Sequence, residues 1–361
     1  MKQEKFFLLI YLSTILILMI LISLFNYIVD PINIFNKSKS GNKEFELKLA
    51  ESLTVHRCVA LSKNFDERKF IRARINIESD LLKPNVIVVG SSRVLKIGNY
   101  LIDKNIFNLG VSGASIEDIV AILDLATKKF KPNILLIGVD PWIFNDDSGQ
   151  QRWMTLSEEY KKGLSGLNLD SQKYSSNHQN KYEELIGIAY TKESLKFLYH
   201  NFVQKNSSNI EYPDSDKPIP GKNIIMKDGS LVYNSEMESI TQESLIVGDN
   251  KNLLGPSMLY YSFSNYRNKI FKALIRKYNK NYKVILLLSP YHPYIYNEAL
   301  KRNPILQEVE NQIHSIAYNE NISVIGSYNP DKVNCTPLEF YDGVHSKGSC
   351  MRKIIQKIDA F

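Results

Sequence analysis

The chain has 361 residues, a formal net charge of +7 and three cysteines. A charge this modest, without a dense basic block interleaved with aromatics, argues against a nucleic-acid partner and leaves an anionic envelope polymer or lipid surface in play. Three cysteines are too few to build a domain of this length on disulfides, and no Cys/His spacing resembles a zinc site, so no metal or other cofactor is expected.

Residues 6–29 carry no charged side chain and are dominated by Phe, Leu, Ile, Met and Val. A helix of that length spans roughly 36 Å, enough for a bilayer core of about 30 Å. The run exceeds the apolar part of a secretory signal, and Phe25-Asn26-Tyr27-Ile28-Val29 offers no small pair for a peptidase. Residues 1–35 therefore read as a retained transmembrane anchor. Lys2 and Lys5 precede it closely, which favours the N-terminus inside and the long body outside the cytoplasm.

Residues 36–82 read as a lysine-rich juxtamembrane linker and a helical lead-in. Two similar units follow. Lys83-Pro84-Asn85 introduces Val86-Ile87-Val88-Val89-Gly90, and Lys131-Pro132-Asn133 introduces Ile134-Leu135-Leu136-Ile137-Gly138. Continuous apolar character marks strands buried on both faces, as in a parallel α/β sheet. Between them lie a short strand at 106–109 and a helix at about 115–129, which Ser115 can cap and whose first turn holds Glu117 and Asp118. Residues 83–144 thus form the first part of a core. Residues 145–256, rich in Ser, Asn, Asp and Tyr, read as an insertion or cap. The core resumes over 257–361, with helices at 265–278 and 305–318, strands at 283–288 and 322–325, and a closing helix near 351–358. The expected architecture is a three-layer α/β/α sandwich on a mostly parallel, flavodoxin-like sheet. Ligands collect beyond the carboxyl ends of such strands, where Ser92, Gly113, Asp140, Pro290 and His345 can share one rim.

Gly90-Ser91-Ser92-Arg93 leaves the first strand, and Asp342-Gly343-Val344-His345 lies near the C-terminus. A serine hydroxyl becomes a useful nucleophile when a base takes its proton, and His345 supplies an imidazole for that. Asp342 can fix the imidazole's tautomer through its other nitrogen. A helix starting after Ser92 would aim free amides at an oxyanion. Taken singly, these pieces are also ordinary turn and capping motifs. Cys335 and Cys350 flank the Asp342–His345 loop; a bridge would brace it, while two free, partly buried thiols are the more ordinary outcome. His292 at the end of a later strand can contact substrate. Trp142 and Tyr291 can stack on a sugar ring, although packing is the simpler reading of each. His56 and Arg57 precede the first strand, with nothing to place them in the cleft.

This layout resembles the SGNH, or GDSL-like, hydrolase superfamily, over roughly residues 83–140 and 284–358. It looks closest to the membrane-anchored extracytoplasmic branch that adds or removes acyl groups on envelope polysaccharides, including alginate acetylation and teichoic-acid D-alanine transfer proteins. The resemblance implies Ser92 as nucleophile and oxyanion donor, Asp342 and His345 as its partners, and a second oxyanion donor at Gly113 in Asn108-Leu109-Gly110-Val111-Ser112-Gly113. It also implies a polysaccharide or glycan substrate, a membrane-bound partner that delivers acyl groups, and a single-pass protein of the bacterial cytoplasmic membrane. One position departs from the pattern. Where family hydrolases often place an oxyanion-donating Asn, this chain has Asp140, and an ionised carboxylate cannot donate. Asp140 is therefore expected to point away, to bind a substrate hydroxyl, or to pair with Arg93, which with Trp142 and His292 completes the expected substrate-contacting set. The sequence reads as a serine-dependent O-acyl esterase or acyltransferase, the alternative being an inactive relative that binds or assembles envelope components.

Overall fold

A computed structural model describes residues 2–30, 35, 43–61, 65–79, 82–169, 182–203, 210–240, 254, 258 and 260–360. The chain divides into two compact units, residues 1–42 with 170–208, and residues 43–169 with 209–361. In the first unit, α1 (Lys2–Val29) contains a stretch, Lys5–Val29, with a mean hydropathy of 2.8, long and apolar enough to cross a membrane. Its last turn is anchored by polar side chains. Asn26 Nδ2 donates to Leu185 O and Thr191 Oγ1, each at 2.8 Å, and the Tyr190 hydroxyl donates to Asp30 Oδ1 at 2.7 Å. Tyr190 and Thr191 belong to the helix Ile188–Val203, α6 in chain order. Most of the expected linker, residues 36–42, lies outside the described residues.

The second unit is built on five parallel strands, β2 (Val86–Val89), β3 (Ile106–Asn108), β4 (Ile134–Gly138), β7 (Lys283–Leu288) and β8 (Ser323–Gly326), in the order β3-β2-β4-β7-β8. Counting only these strands, the order is the 2-1-3-4-5 of flavodoxin-like sheets. The two Lys-Pro-Asn turns lie side by side, with Asn133 N and Ile134 N both donating to Asn85 O. They set the register: Val86 is opposite Ile134, Val89 opposite Ile137, and Ile137 opposite Leu286. Strands started level end level, so the chain leaves β2, β4 and β7 at one rim.

Alternate residues face opposite layers. Val86, Val88, Leu136, Ile285 and Leu287 pack with Met351, Ile354 and Ile355 of α10 (Gly348–Ile355). Phe107, of the other parity, meets Phe130 edge-on at 5.5 Å, at the end of α4 (Ile116–Lys129). Ser115 caps α4 in a reciprocal box with Asp118. Asp118 is also held by both arms of Arg68 at 2.8 Å, from α3 (Glu67–Ile77), so two buried charges neutralise each other at the helix start. The longer of the other helices in the unit are α2 (Lys43–Val55), α5 (Ser157–Gly166), α7 (Asn265–Tyr278), α8 (Pro293–Arg302) and α9 (Ile305–Asn319).

A second, antiparallel sheet was not expected from the sequence. β1 (Cys58–Leu61) pairs with β5 (Asn223–Met226), which pairs with β6 (Leu231–Val232). The turn between β5 and β6 covers the free edge of β3, where Asn108 N donates to Asp228 O at 2.7 Å. At Gly229 (φ +85°) a Cβ would lie 2.0 Å from Asn108 O, so the turn seats this closely only with glycine. Covering the edge removes a pairing template for other chains.

Cys335 and Cys350 are joined by a disulfide, with Cα atoms 5.3 Å apart, where two free thiols were the more ordinary expectation. Both half-cystines are buried in the hydrophobic layer to which α10 contributes, Cys350 from the helix itself. A ring of this size contributes about 3 kcal/mol by restricting the unfolded chain. Cys58 is buried and unbridged.

Candidate active site

The rim is assembled from the turns that leave the strands. After β2 the backbone turns at Gly90 (φ +150°), where a Cβ would come within 3.1 Å of Gly138 Cα, so the exits of β2 and β4 touch. A single 3-10 turn, Ser92–Val94, follows, capped by Ser91 Oγ accepting from Arg93 N at 3.2 Å. Ser92 opens this turn, so its side chain stands over the end of the sheet.

After β8 the chain returns through the Asp342–His345 loop. Asp342 Oδ1 accepts from the amides of Val344 and His345, both at 2.8 Å, which folds the loop onto its own carboxylate. Tyr341 N donates to His345 O at 2.9 Å and closes the loop. The second carboxylate oxygen of Asp342 lies 2.7 Å from His345 Nδ1, and His345 Nε2 lies 2.8 Å from Ser92 Oγ. Partial burial works against ionisation of Asp342, but the hydrogen bond and charge of His345, with the two amides, outweigh it and hold the carboxyl below its usual range. An ionised Asp342 keeps the proton on Nδ1 and leaves Nε2 to accept from the serine. Chemically, this arrangement can withdraw a proton from Ser92 and return it elsewhere.

Arg93 and Asp140, offered by the sequence as substrate contacts or as partners of each other, lie paired beneath the rim, each 2% exposed. Arg93 Nη1 is 2.9 Å from Asp140 Oδ1, Nε donates to Val344 O at 3.1 Å, and Nη2 donates to Ser289 O. The guanidinium also lies 4.0 Å from the Tyr291 ring centroid. One side chain thus ties the turns after β2, β4 and β7 to the loop that carries His345. The reason is electrostatic: two opposite charges on the turns that leave neighbouring strands β2 and β4 are buried against each other. Trp142 is also buried, and its Nε1 donates to Ala114 O at 2.9 Å, bracing the turn that holds Gly113. Its ring is packing rather than an open stacking face. His56 stacks on Tyr212 and Arg57 faces Asp216 at 4.0 Å, apart from this cluster.

His292 is 5% exposed and caps α8, its Nδ1 accepting from Tyr294 N at 3.2 Å. Its own amide donates to Gly343 O at 3.0 Å, so it supports the histidine loop from below. Burial lowers its pKa, with the charge of Asp342 opposing. A histidine held neutral in the fold gives stability that is full above its unfolded pKa of about 6.5 and is lost as the pH falls toward the folded value. Stability is therefore expected to decline between pH 7 and pH 5. His292→Asn, which keeps a capping acceptor but cannot titrate, should flatten that decline in thermal melts; an unchanged slope would assign it elsewhere.

Several neighbours carried no signal in the sequence. Glu67 accepts from Ser112 Oγ at 2.7 Å. At Gly113 (φ +56°) a Cβ would lie 2.2 Å from Arg152 Nη2, and Gly113 O accepts from Gln150 Nε2 at 2.8 Å. Tyr233 stands edge-on to His345 with ring centroids 6.3 Å apart. All four come from outside the segments that carry the serine and histidine motifs, and nothing in their spacing links them to those motifs.

A parallel α/β sheet with Ser92, His345 and Asp342 in hydrogen-bond contact at its carboxyl rim is an α/β architecture of hydrolase-like type, and it is accompanied by one N-terminal helix long and apolar enough to cross a membrane. The chain belongs to the family described as protein of unknown function (DUF1574), whose model matches residues 54–358. No curated protein matches it.

Proposed function

We propose that this protein is an SGNH-like, serine-dependent O-acyltransferase or esterase acting on a cell-envelope polysaccharide. The observation that carries the reading is the continuous contact from Ser92 Oγ through His345 to Asp342. Ser92 Oγ attacks the acyl carbonyl carbon of the donor ester as His345 Nε2 takes the hydroxyl proton. The tetrahedral oxyanion is met by the amides of Ser92 and Gly113. The bond to the donor alcohol then breaks, and that alcohol leaves with the proton from His345, giving an acyl-serine. In the second half, His345 deprotonates water or a glycan hydroxyl, which attacks the same carbonyl; the bond from the acyl carbon to Ser92 Oγ then breaks and His345 Nε2 returns its proton to Ser92.

Asp140 does not oppose this chemistry. Its charge is matched by Arg93, so a carboxylate at the usual Asn position does not present an unscreened anion to the oxyanion. The site works with two donors instead of three, where each donor is commonly worth about 3 kcal/mol. The Cys335–Cys350 bridge and α1 support a single-pass protein whose α/β unit faces an oxidising, extracytoplasmic space. A membrane protein that supplies the acyl group is the partner implied by the resemblance to polysaccharide-acylating proteins.

The test is covalent labelling of the full-length protein with a fluorophosphonate serine probe. Wild type should be labelled and Ser92→Ala should not. A folded wild type that stays unlabelled would favour an envelope binding or assembly role instead.

A further inference from the structure

Ser92 and His345 are 253 positions apart in the chain, so their contact depends on whatever is bonded to both segments. Arg93 supplies one such tie, through Val344 O. A second comes from a third segment, the single helical turn Ser235–Glu238 that follows β6. Two side chains meet there on one oxygen. Lys96 Nζ donates to Glu238 Oε1 at 3.1 Å, and the Tyr341 hydroxyl donates to the same atom at 2.6 Å.

Each arm runs directly into the site. Lys96 is four residues beyond Ser92, and the turn between them is continuous: Leu95 N donates to Ser92 O and Ile97 N to Val94 O. Tyr341 is four residues before His345, and its amide makes the bond to His345 O that closes the histidine loop. Tyr233, from the same segment as Glu238, packs edge-on against both Tyr341 and His345, at 4.9 and 6.3 Å between ring centroids. The Lys96 ammonium lies 5.1 Å from the Tyr233 centroid and 5.0 Å from that of Tyr341. The segment itself is held to the nucleophile's side, since Leu231 N donates to Leu95 O at 2.8 Å. Asn234 Oδ1 fixes its turn by accepting from Met237 N at 2.9 Å.

Burial makes these ties stiff. Lys96 and Tyr341 are both buried, and a buried ammonium holds its counter-ion closely because separating them strands a charge. A phenol donating to a carboxylate is likewise among the stronger hydrogen bonds.

We infer that Glu238 is a positioning residue, which sets the approach of Ser92 Oγ to His345 Nε2 by fastening Lys96 on one segment and Tyr341 on the other. The inference rests on the acyl-serine reading above and deepens it. Glu238 touches neither reacting atom. Its effect is on the limiting rate of the reaction at Ser92, because a small drift between nucleophile and base is costly while probe binding is unaffected.

The experiment follows fluorophosphonate labelling of the full-length protein in lipid nanodiscs as a function of probe concentration. Tyr341→Phe, which deletes one oxygen, and Lys96→Met/Glu238→Leu, which removes both charges together, should each lower the limiting rate by about 10–100-fold. The half-saturating concentration and the final extent of labelling should stay at the wild-type values. The triple variant should react no more slowly than the slower of these two, since both act through one oxygen. A normal limiting rate with a reduced final extent would mean that the cluster only holds the fold, and overturns the inference. A further loss in the triple variant overturns it as well. Should the Lys96/Glu238 variant fail to fold, Tyr341→Phe decides alone. A wild type that is never labelled sinks the acyl-serine reading and this inference with it; a labelled wild type matched in rate by its variants overturns this inference only.

Discussion

Replacing Arg93 with methionine is expected to lower the free energy of unfolding by about 3–5 kcal/mol, because it leaves a buried carboxylate without its partner. Asp140 is 2% exposed, and the same substitution strips donors from Val344 O and Ser289 O. Lysine should rescue little, since a single ammonium cannot reproduce a planar fork reaching three acceptors while lying on Tyr291. The double variant Arg93→Met/Asp140→Leu should recover a large part of the loss, as apolar replacement of both partners removes the stranded charge. Denaturant unfolding of the four proteins makes the comparison. If the double variant is no more stable than Arg93→Met, the ion pair is not the source of the effect.

The second large effect is kinetic. With an ester substrate, Ser92→Ala and His345→Ala are each expected to reduce kcat by about 10⁴–10⁶-fold, and the pair together by little more than either alone. On the proposed acyl-serine route the two side chains perform one proton transfer, so removing the second has nothing left to abolish. Asp342→Asn should cost about 10⁴-fold, because an amide Nδ2 facing His345 Nδ1 favours the tautomer that places the proton on Nε2, against the serine. Additive losses from Ser92→Ala and His345→Ala would show that they act separately and would remove the basis for an acyl-serine route.

The parallel sheet was readable in the sequence because burial on both faces demands unbroken apolar runs, and the two Lys-Pro-Asn stops gave each run a beginning. Ser115 announced α4 because an acid three residues on completes a capping box. The loops carrying Ser92 and His345 could be expected near each other once both were assigned to strand exits of one parallel sheet. Other features had no local signature. The run Cys58-Val59-Ala60-Leu61 becomes a strand only because Asn223–Met226 lies beside it, and four apolar residues cannot tell strand from helix on their own. Charge type does not tell whether a side chain points over a rim or under it, so the sequence left Asp140 three outcomes, pointing away, binding a substrate hydroxyl or pairing with Arg93, and the ion pair is the one formed. In the sequence His292 reads as the end of a strand, yet the proline after it suits the first position of a helix, and His292 is the cap.

The covalent ring closed between positions 335 and 350 encloses both Asp342 and His345. Protein made in a reducing cytosol would emerge with that ring open, so His345 and Asp342 would ride on an untethered segment. On the proposed function and extracytoplasmic placement, export and oxidation become steps in maturing the reactive centre as well as in delivering it. Preparations recovered from reducing and oxidising compartments should differ in the fraction competent to react.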